Sequence, residues 1–332
     1  PSTHGVLRLL VRLDGETVVS VTPVVGYLHT GIEKTFENKT YLQGTTLAPR
    51  ISYLSPIHNN LAYVLAVEKL LGVDVPDRAT VIRVILAELD RVASHLVFVG
   101  SHAIDLGATS PMLYAFRERD TILDVMEMVG GARMFPTLIR PGGLARDVPE
   151  GFAQAVVEVV HGLLPAIDDY ERLLTRNPLW LDRTVGVAVL DAATALALGV
   201  TGPVLRGAGV AHDLRKAAPY CGYERYRFEV PVTASGDAYG RYLVRVLEMR
   251  QSLEIVRQAL AGLRPGPVIT GDRKVAPPPK HELATSMEAV IHHFKLWTEG
   301  YRVPAGEAYV GVEAARGELG FYVISDGSSR PW

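Results

Sequence analysis

The stretch RATVIRVILAELDRVASHLVFVGSH, residues 78–102, decides the fold class. Five of its apolar residues recur at spacings of three and four: Val81, Ile85, Leu89, Val92 and Leu96. This spacing places them on one face of an α-helix. Arg83 and Glu88 interrupt the run, and the chain has no stretch near the roughly 18 to 20 uninterrupted apolar residues of a membrane-spanning helix. The stretch therefore predicts a long packed helix of a soluble or peripheral protein.

Helical spacing of apolar residues recurs along most of the chain. It is found in residues 60–72, 114–128, 149–175, 192–198, 238–263 and 285–296. Helix breakers such as Arg140-Pro-Gly-Gly and Pro277-Pro-Pro separate several of these segments. The sequence therefore predicts a bundle of packed helices.

Both ends of the chain show the alternation of β-strands. Residues 5–25 hold two β-rich runs around Asp14-Gly15, a pair that favours a tight hairpin turn, and residues 306–324 alternate in the same way. The predicted fold class is α+β and mostly α, with a helical core flanked by small antiparallel sheets. We expect a β-rich region 1–58, a helical bundle 59–300 and a β-hairpin region 301–332, forming one integrated domain that is truncated at both ends.

Composition excludes several function classes. The 34 basic and 36 acidic residues give a formal charge of -2, which offers no overall attraction to nucleic acid. Cys221 is the single cysteine, so neither an internal disulfide nor a four-thiolate cluster is possible. The start lacks both Met and a signal-peptide pattern, so the chain is expected to be a fragment of a cytoplasmic protein.

Motifs for metal, nucleotide or nucleophilic chemistry are absent from the sequence. His292 and His293 are adjacent and would point about 100° apart on a helix, so they cannot share a metal. His95 and His102 share a helix face, but apolar neighbours favour packing. The chain has neither a G-x-S-x-G nor a P-loop motif, so we expect neither a nucleophilic serine nor bound NADH.

Three polar residues stand where predicted elements end. His4 lies beside a strand, Tyr53 follows a loop, and Asp105 comes just beyond a helix end. Asp105 is either an N-terminal cap for the next helical turn or a charge that faces a cavity, and spacing alone favours the cap.

A set of motifs in a fixed order resembles the D-subunit, or 49 kDa subunit, of respiratory complex I. They are Pro1-Ser-Thr-His-Gly-Val-Leu-Arg-Leu, Gly26-Tyr-Leu-His-Thr-Gly-Ile-Glu-Lys, Arg91-Val-Ala-Ser-His-Leu, Ala115-Phe-Arg-Glu-Arg, Ile139-Arg-Pro-Gly-Gly, Asp213-Leu-Arg-Lys and Ser325-Asp-Gly-Ser-Ser-Arg-Pro. Together they span essentially the whole chain. The resemblance implies a fold like that of the nickel-iron hydrogenase large subunit, without its paired metal-binding cysteines. The former metal cavity is then expected to be a quinone pocket that includes the loop of region 1–58.

The resemblance also implies the site residues. The quinone-contacting His and Tyr of the family fall on His4 and Tyr53, and the acidic partner of that His falls on Asp105. Arg50 falls near a four-iron four-sulfur cluster that a neighbouring subunit holds. A His and a Tyr can each hydrogen-bond a quinone oxygen and supply a proton, so the chain itself needs no metal.

The chain departs from the family pattern at three positions near this expected site. Ser52 stands where the family usually has Asp, Phe135 where many members carry His beside the cluster, and Thr30 where many have Arg. Phenylalanine cannot titrate, so we expect this subunit to tune the cluster with pH weakly or not at all.

The function implied is that of the quinone-site subunit of a proton-translocating NADH:quinone oxidoreductase, active only within the complex. The implied partners are the iron-sulfur B-type subunit, the C-subunit and the membrane H-subunit, on the cytoplasmic side of a bacterial inner membrane. Two alternatives stay open: an equivalent subunit of a ferredoxin-dependent or hydrogenase-like membrane complex, and a scaffold in which His4 and Tyr53 only pack.

Overall fold

The chain is mostly helical in a computed structural model that describes residues 6–332. The helices are α1 (Ile32–Glu37), α2 (Tyr41–Leu47), α3 (Pro56–Leu71), α4 (Asp77–Asp105), α5 (Ser110–Gly130), α6 (Phe152–Tyr170), α7 (Pro178–Thr184), α8 (Ala192–Ala197), α9 (Gly202–Gly207), α10 (Leu214–Ala217), α11 (Ala238–Gly262) and α12 (Met287–Thr298). The strands are β1 (Arg8–Asp14), β2 (Thr17–Val24), β3 (Ile139–Arg140), β4 (Gly143–Leu144), β5 (Gly306–Ala314) and β6 (Gly317–Ser325). The predicted α+β class is confirmed.

Each strand pairs with its neighbour in sequence, which gives small antiparallel sheets. β1 pairs with β2, and Gly15 between them has a φ of 59°, as a tight hairpin turn requires. β5 pairs with β6 from Gly306↔Ser325 to Ala314↔Gly317. Both predicted hairpins are therefore confirmed, and the second one packs on α3.

Helix α4 is the centre of the molecule, where it packs on α3, α5 and α11. Every residue from Val81 to Leu96 is buried. The sequence predicted one apolar face, but the helix is enclosed on all sides by its neighbours. Charged residues within this stretch must therefore find partners inside the protein, because an isolated buried charge is costly.

The N-terminal region contains short helices that periodicity did not predict. Helices α1 and α2 and the 3-10 turn Ala48–Ile51 lie between the first hairpin and α3. Helix α2 is stabilised by a capping box, in which Thr40 accepts from the backbone of Gln43 and the Gln43 side chain accepts from the backbone of Thr40. Elements of six or seven residues are too short to show a helical period.

One hydrophobic cluster joins the bundle to the C-terminal hairpin. It runs from Phe36 through α3, α4, α5, α6 and α11 to Val303 and Val323. Among the described residues, no helix combines the length and the apolar character needed to cross a membrane. The cluster fixes α3, α4 and α5 against one another, and the candidate site lies among these three helices.

Candidate functional site

Tyr53 lies in the connector between α2 and α3, and local sequence fixes the path of that connector. Pro49 lies within the 3-10 turn, and Pro56 occupies the first turn of α3, where a missing N–H costs nothing. The Ser55 backbone N–H donates to the Ser52 carbonyl oxygen at 3.1 Å. The Asn59 side chain also donates to that carbonyl, at 3.1 Å. Tyr53 is thus held on a tight turn in front of α3.

A narrow cavity opens beside Tyr53 between the connector, α4 and α5. Asp90 from α4 lines it, together with Arg119 and Met126 from α5 and Met134 from the loop that follows. Two opposite charges and a phenol therefore share one small space. The cavity itself encloses only about 10 Å³, so a ring would lie at its mouth, where such a combination can stabilise charge that develops on it.

Arg119 is a nearly buried cation at this cavity, with 8% of its surface exposed. Its guanidinium approaches the sulfur of Met134 at 3.8 Å and lies 5.8 Å from the ring centre of Phe116. Among the described residues, no carboxylate lies within 4.0 Å of it. Burial lowers the pKa of Arg119, while nearby Asp90 and Tyr53 act in the opposite direction. The cation is therefore available to an anionic group in the cavity.

Asp90 is anchored from behind by the first turn of α3. Its Oδ2 atom accepts from the Ser55 hydroxyl at 3.2 Å, from the His58 backbone N–H at 3.3 Å and from His58 Nδ1 at 2.7 Å. Arg91 lies on the other side of the imidazole, with Nη2 3.3 Å from His58 Nε2. Because arginine only donates, Nε2 must be the acceptor and Nδ1 must carry the hydrogen. Burial lowers the pKa of His58, which favours this neutral form.

Arg91 continues this contact into a network of buried charges across the core. Ion pairs and hydrogen bonds link Arg91, Glu88, Arg215, Asp213, Arg206, Glu313, Glu248 and His95. The residues come from α4, α9, α10, α11 and β5, so the network connects elements that are far apart in sequence. Each charge has a partner of opposite sign, which is the condition for burying it.

Arg50 and Phe135, which the resemblance placed separately near a partner cluster, are in contact. The Arg50 guanidinium lies 5.3 Å from the ring centre of Phe135, a cation–π geometry. Arg50 also donates to the carbonyl oxygen of Thr46. The aromatic ring thus orients the arginine, whereas a protonated histidine at position 135 would repel it.

The structure places Asp105 differently from the expectation drawn from the sequence. Asp105 is the last residue of α4, not a residue beyond it, and the N-cap position of α5 is Thr109. The capping hypothesis for Asp105 was therefore wrong. Asp105 lies twelve positions after Ala93, which lines the Tyr53 cavity, or about 18 Å further along the helix axis. His4 lies outside the described residues.

Metal and thiol chemistry have no described site. Within residues 6–332, no group of three His, Cys, Asp or Glu side chains is placed to hold a metal ion. Burial raises the pKa of Cys221 to about 11, so its thiol stays protonated at neutral pH. His95 Nε2 donates to Glu248 at 2.8 Å, while His102 stacks on Phe98. These residues serve packing and the buried network.

Comparison with known proteins identifies the family. The family model described as "Respiratory-chain NADH dehydrogenase, 49 Kd subunit" matches residues 105–332. The chain belongs to this complex I family. A relative from Chloroflexus aurantiacus, named as a D-subunit of NADH-quinone oxidoreductase, is 60% identical over 335 residues, which cover 100% of this chain and 82% of that protein. The D-subunit of NADH-quinone oxidoreductase from Geotalea uraniireducens is 55% identical over 332 residues, covering 100% and 85%. The family predicted from the motifs is confirmed.

Three residues of the cavity region in this complex I subunit were not singled out from sequence: His58, Asp90 and Arg119. The sequence gives little indication of their contact, since His58 and Asp90 are 32 positions apart and are brought together only by the packing of α3 on α4. One hint existed. Helix α4 carries charged residues among apolar ones on every face, which indicates buried ion pairs in a helix that is enclosed by its neighbours.

Proposed function

We propose that this chain is the quinone-site subunit of a proton-translocating NADH:quinone oxidoreductase. In this role it binds the quinone head, which the terminal four-iron four-sulfur cluster of a neighbouring subunit reduces. Family membership and the names of the relatives support the reaction. The observation that carries the location is the cavity in which Tyr53 lies beside nearly buried Arg119, a cation without an ion pair among residues 6–332.

Quinone reduction requires the protein to supply hydrogen-bond donors, protons and a charge that stabilises the reduced ring. Reduction of a quinone to a quinol takes two electrons and two protons. Tyr53 can donate a hydrogen bond to one quinone oxygen and give up its proton as negative charge develops there. Arg119 stabilises that charge in a water-poor cavity. His4 would serve the second oxygen, with Asp105 as its acidic partner, and the length of α4 between Asp105 and the Tyr53 cavity implies an elongated site.

The partner surface follows from the same assignment. Arg50, held by Phe135, would face the cluster of the B-type subunit, and the C-subunit and membrane H-subunit would complete the surroundings. Peripheral attachment to the cytoplasmic side of the membrane would come through these partners. The exposed arginine provides positive charge next to a cluster that gains electrons, and Phe135 adds no titrating group there.

Substitution of Tyr53 by Phe in the assembled complex tests the proposal. We expect NADH:quinone turnover to fall about a hundredfold, at the low end of the range for loss of a proton donor. NADH oxidation with an artificial acceptor upstream of the quinone should stay unchanged. Tyr322→Phe is the matched control, because Tyr322 is an exposed tyrosine on β6. Full quinone turnover in Tyr53→Phe would favour the scaffold alternative instead.

A further inference from the structure

We propose that Asp90 is a charge-balancing residue of the quinone site: His58 and Ser55 position its carboxylate at the wall of the Tyr53 cavity, where it opposes Arg119. This inference rests on the proposed function, because it takes the Tyr53 cavity to be where the quinone head binds. Its evidence is separate, since it comes from contacts of α3 with α4 that no part of the proposed function uses.

The anchoring contacts are directional. The three described hydrogen bonds to Asp90 all reach Oδ2, and they come from Ser55 at the N-cap position of α3 and from His58 in its first turn. A carboxylate accepts such bonds only, so this arrangement suits the ionised side chain. Arg91 fixes the imidazole from behind by donating to Nε2. The orientation of Asp90 is thus set by atoms outside the cavity, which hold its carboxylate at the cavity wall.

The charged groups around Asp90 come from three helices and from the loop that follows the third. Helix α3 contributes His58, which is neutral, and α4 contributes Arg91 and Glu88, which pair with each other. Helix α5 contributes Arg119, and the following loop contributes Arg133, whose charge is bound by three acidic side chains of α5. Arg119 is therefore the charge that Asp90 balances across the cavity.

This balance has a consequence for proton uptake. Arg119 favours negative charge on a bound quinone, whereas Asp90 disfavours it. A quinone oxygen that has accepted electrons next to Asp90 is therefore driven to take a proton and become neutral. Together the two residues let electrons arrive and still promote protonation, so the product can leave as the uncharged quinol.

The pH profile of NADH:quinone turnover in the assembled complex tests the inference. Removal of a negative charge lowers the pKa of neighbouring acids, so Asp90→Asn should move the alkaline limb of the profile about one pH unit toward acid. Arg119→Gln should move it toward alkali. The control is His95→Gln, which changes a second buried His–carboxylate pair of α4 that faces Glu248 on α11. This control variant should show the same pH profile of turnover as the wild-type complex.

Two variants of His58 separate positioning from titration. Asn can place an amide N–H where His58 Nδ1 donates to Asp90, so His58→Asn should retain wild-type turnover. His58→Leu removes that donor and should lower turnover several-fold. Equal losses in both variants would show that the imidazole itself titrates in the reaction, which would overturn a positioning role.

The outcomes also separate this inference from the proposed function. If Tyr53→Phe loses turnover while Asp90→Asn keeps the wild-type pH profile, Asp90 has no such role, although the quinone site stands. If Tyr53→Phe has full turnover, the proposed site itself fails. Should Asp90→Asn not assemble, the His58 variants decide: a loss of turnover in His58→Leu that His58→Asn does not show supports the anchored carboxylate, and wild-type turnover in His58→Leu overturns it.

Discussion

Glu88→Gln is expected to destabilise the chain by about 3–5 kcal/mol, as is typical when one partner of a buried ion pair is removed. Glu88 is fully buried on α4 and pairs with Arg91 and Arg215. The hydroxyls of Tyr223 and Ser252 also donate to it, at 2.6 Å each. Without its charge, two buried guanidinium groups lose their shared counter-ion. The loss is a large fraction of the roughly 5–15 kcal/mol that stabilises a typical domain.

Thermal unfolding of the purified complex, followed by the amount of this subunit retained, measures the effect. Glu254→Gln is the control, because Glu254 pairs with Arg257 on the exposed side of α11 and such pairs contribute about 1 kcal/mol or less. Both variants replace a charged glutamate with a neutral glutamine of nearly the same shape, so they differ only in the surroundings of the lost charge. Equal unfolding temperatures would contradict the importance of the buried network.

The pKa of Glu88 gives the sign of the pH dependence. Burial alone would raise that pKa, but Arg91 and Arg215 outweigh burial and hold it well below its usual value of 4.5. A depressed carboxylate pKa stabilises the fold above the unfolded-state pKa, and this contribution is lost as the pH falls through the folded-state value. The contribution of Glu88 is therefore complete above about pH 4.5 and declines only in stronger acid.

Gly143→Ala is expected to destabilise the chain by about 3–5 kcal/mol through a backbone clash. Gly143 has a φ of 144°, and a Cβ atom there would lie 2.1 Å from the carbonyl oxygen of Val268. That carbonyl accepts from the Leu144 backbone N–H at 2.8 Å, so it cannot move away freely. The Gly143 carbonyl also accepts from buried Arg83. Alanine would therefore strain β4 and the Arg83 contact together.

Gly162→Ala provides a control of opposite sign. Gly162 lies within α6, and a Cβ atom there meets nothing within 4 Å. Alanine in a helix interior is favoured over glycine by about 0.5–1 kcal/mol, so this variant should be slightly stabilised. Thermal unfolding of both variants is the measurement. A Gly143→Ala protein as stable as Gly162→Ala would show that the segment around Val268 yields easily.

Periodicity predicted the long helices and the two terminal hairpins because those elements each repeat their own pattern along the chain. Helix α4 was predicted from 78 to 102 and runs from 77 to 105. Periodicity did not predict the short helices α1 and α2, since six or seven residues form less than two full helical turns. It did not predict pairings between distant segments either: Arg215 contacts Glu88 across 127 positions, which no local pattern records.

At the candidate site, too, the sequence indicated some residues but not the contacts between distant segments. Tyr53 and Arg50 were found through motif resemblance, and the structure adds that each faces an aromatic or charged neighbour from another element. Asp90 looked like one more charge on a helix, because only the packing of α3 on α4 brings His58 and Ser55 to its carboxylate. Burial, not residue type, distinguishes this aspartate from those on the surface.

Helix α4 also fixes the distance between Asp90 and Asp105. Its 29 residues form a rod about 43 Å long that carries Asp90 near its middle and Asp105 at its end. An insertion of one residue between them would displace Asp105 by about 1.5 Å and turn it by about 100°, leaving Asp90 in place. The length of α4 between the two carboxylates therefore fixes their spacing in the proposed site.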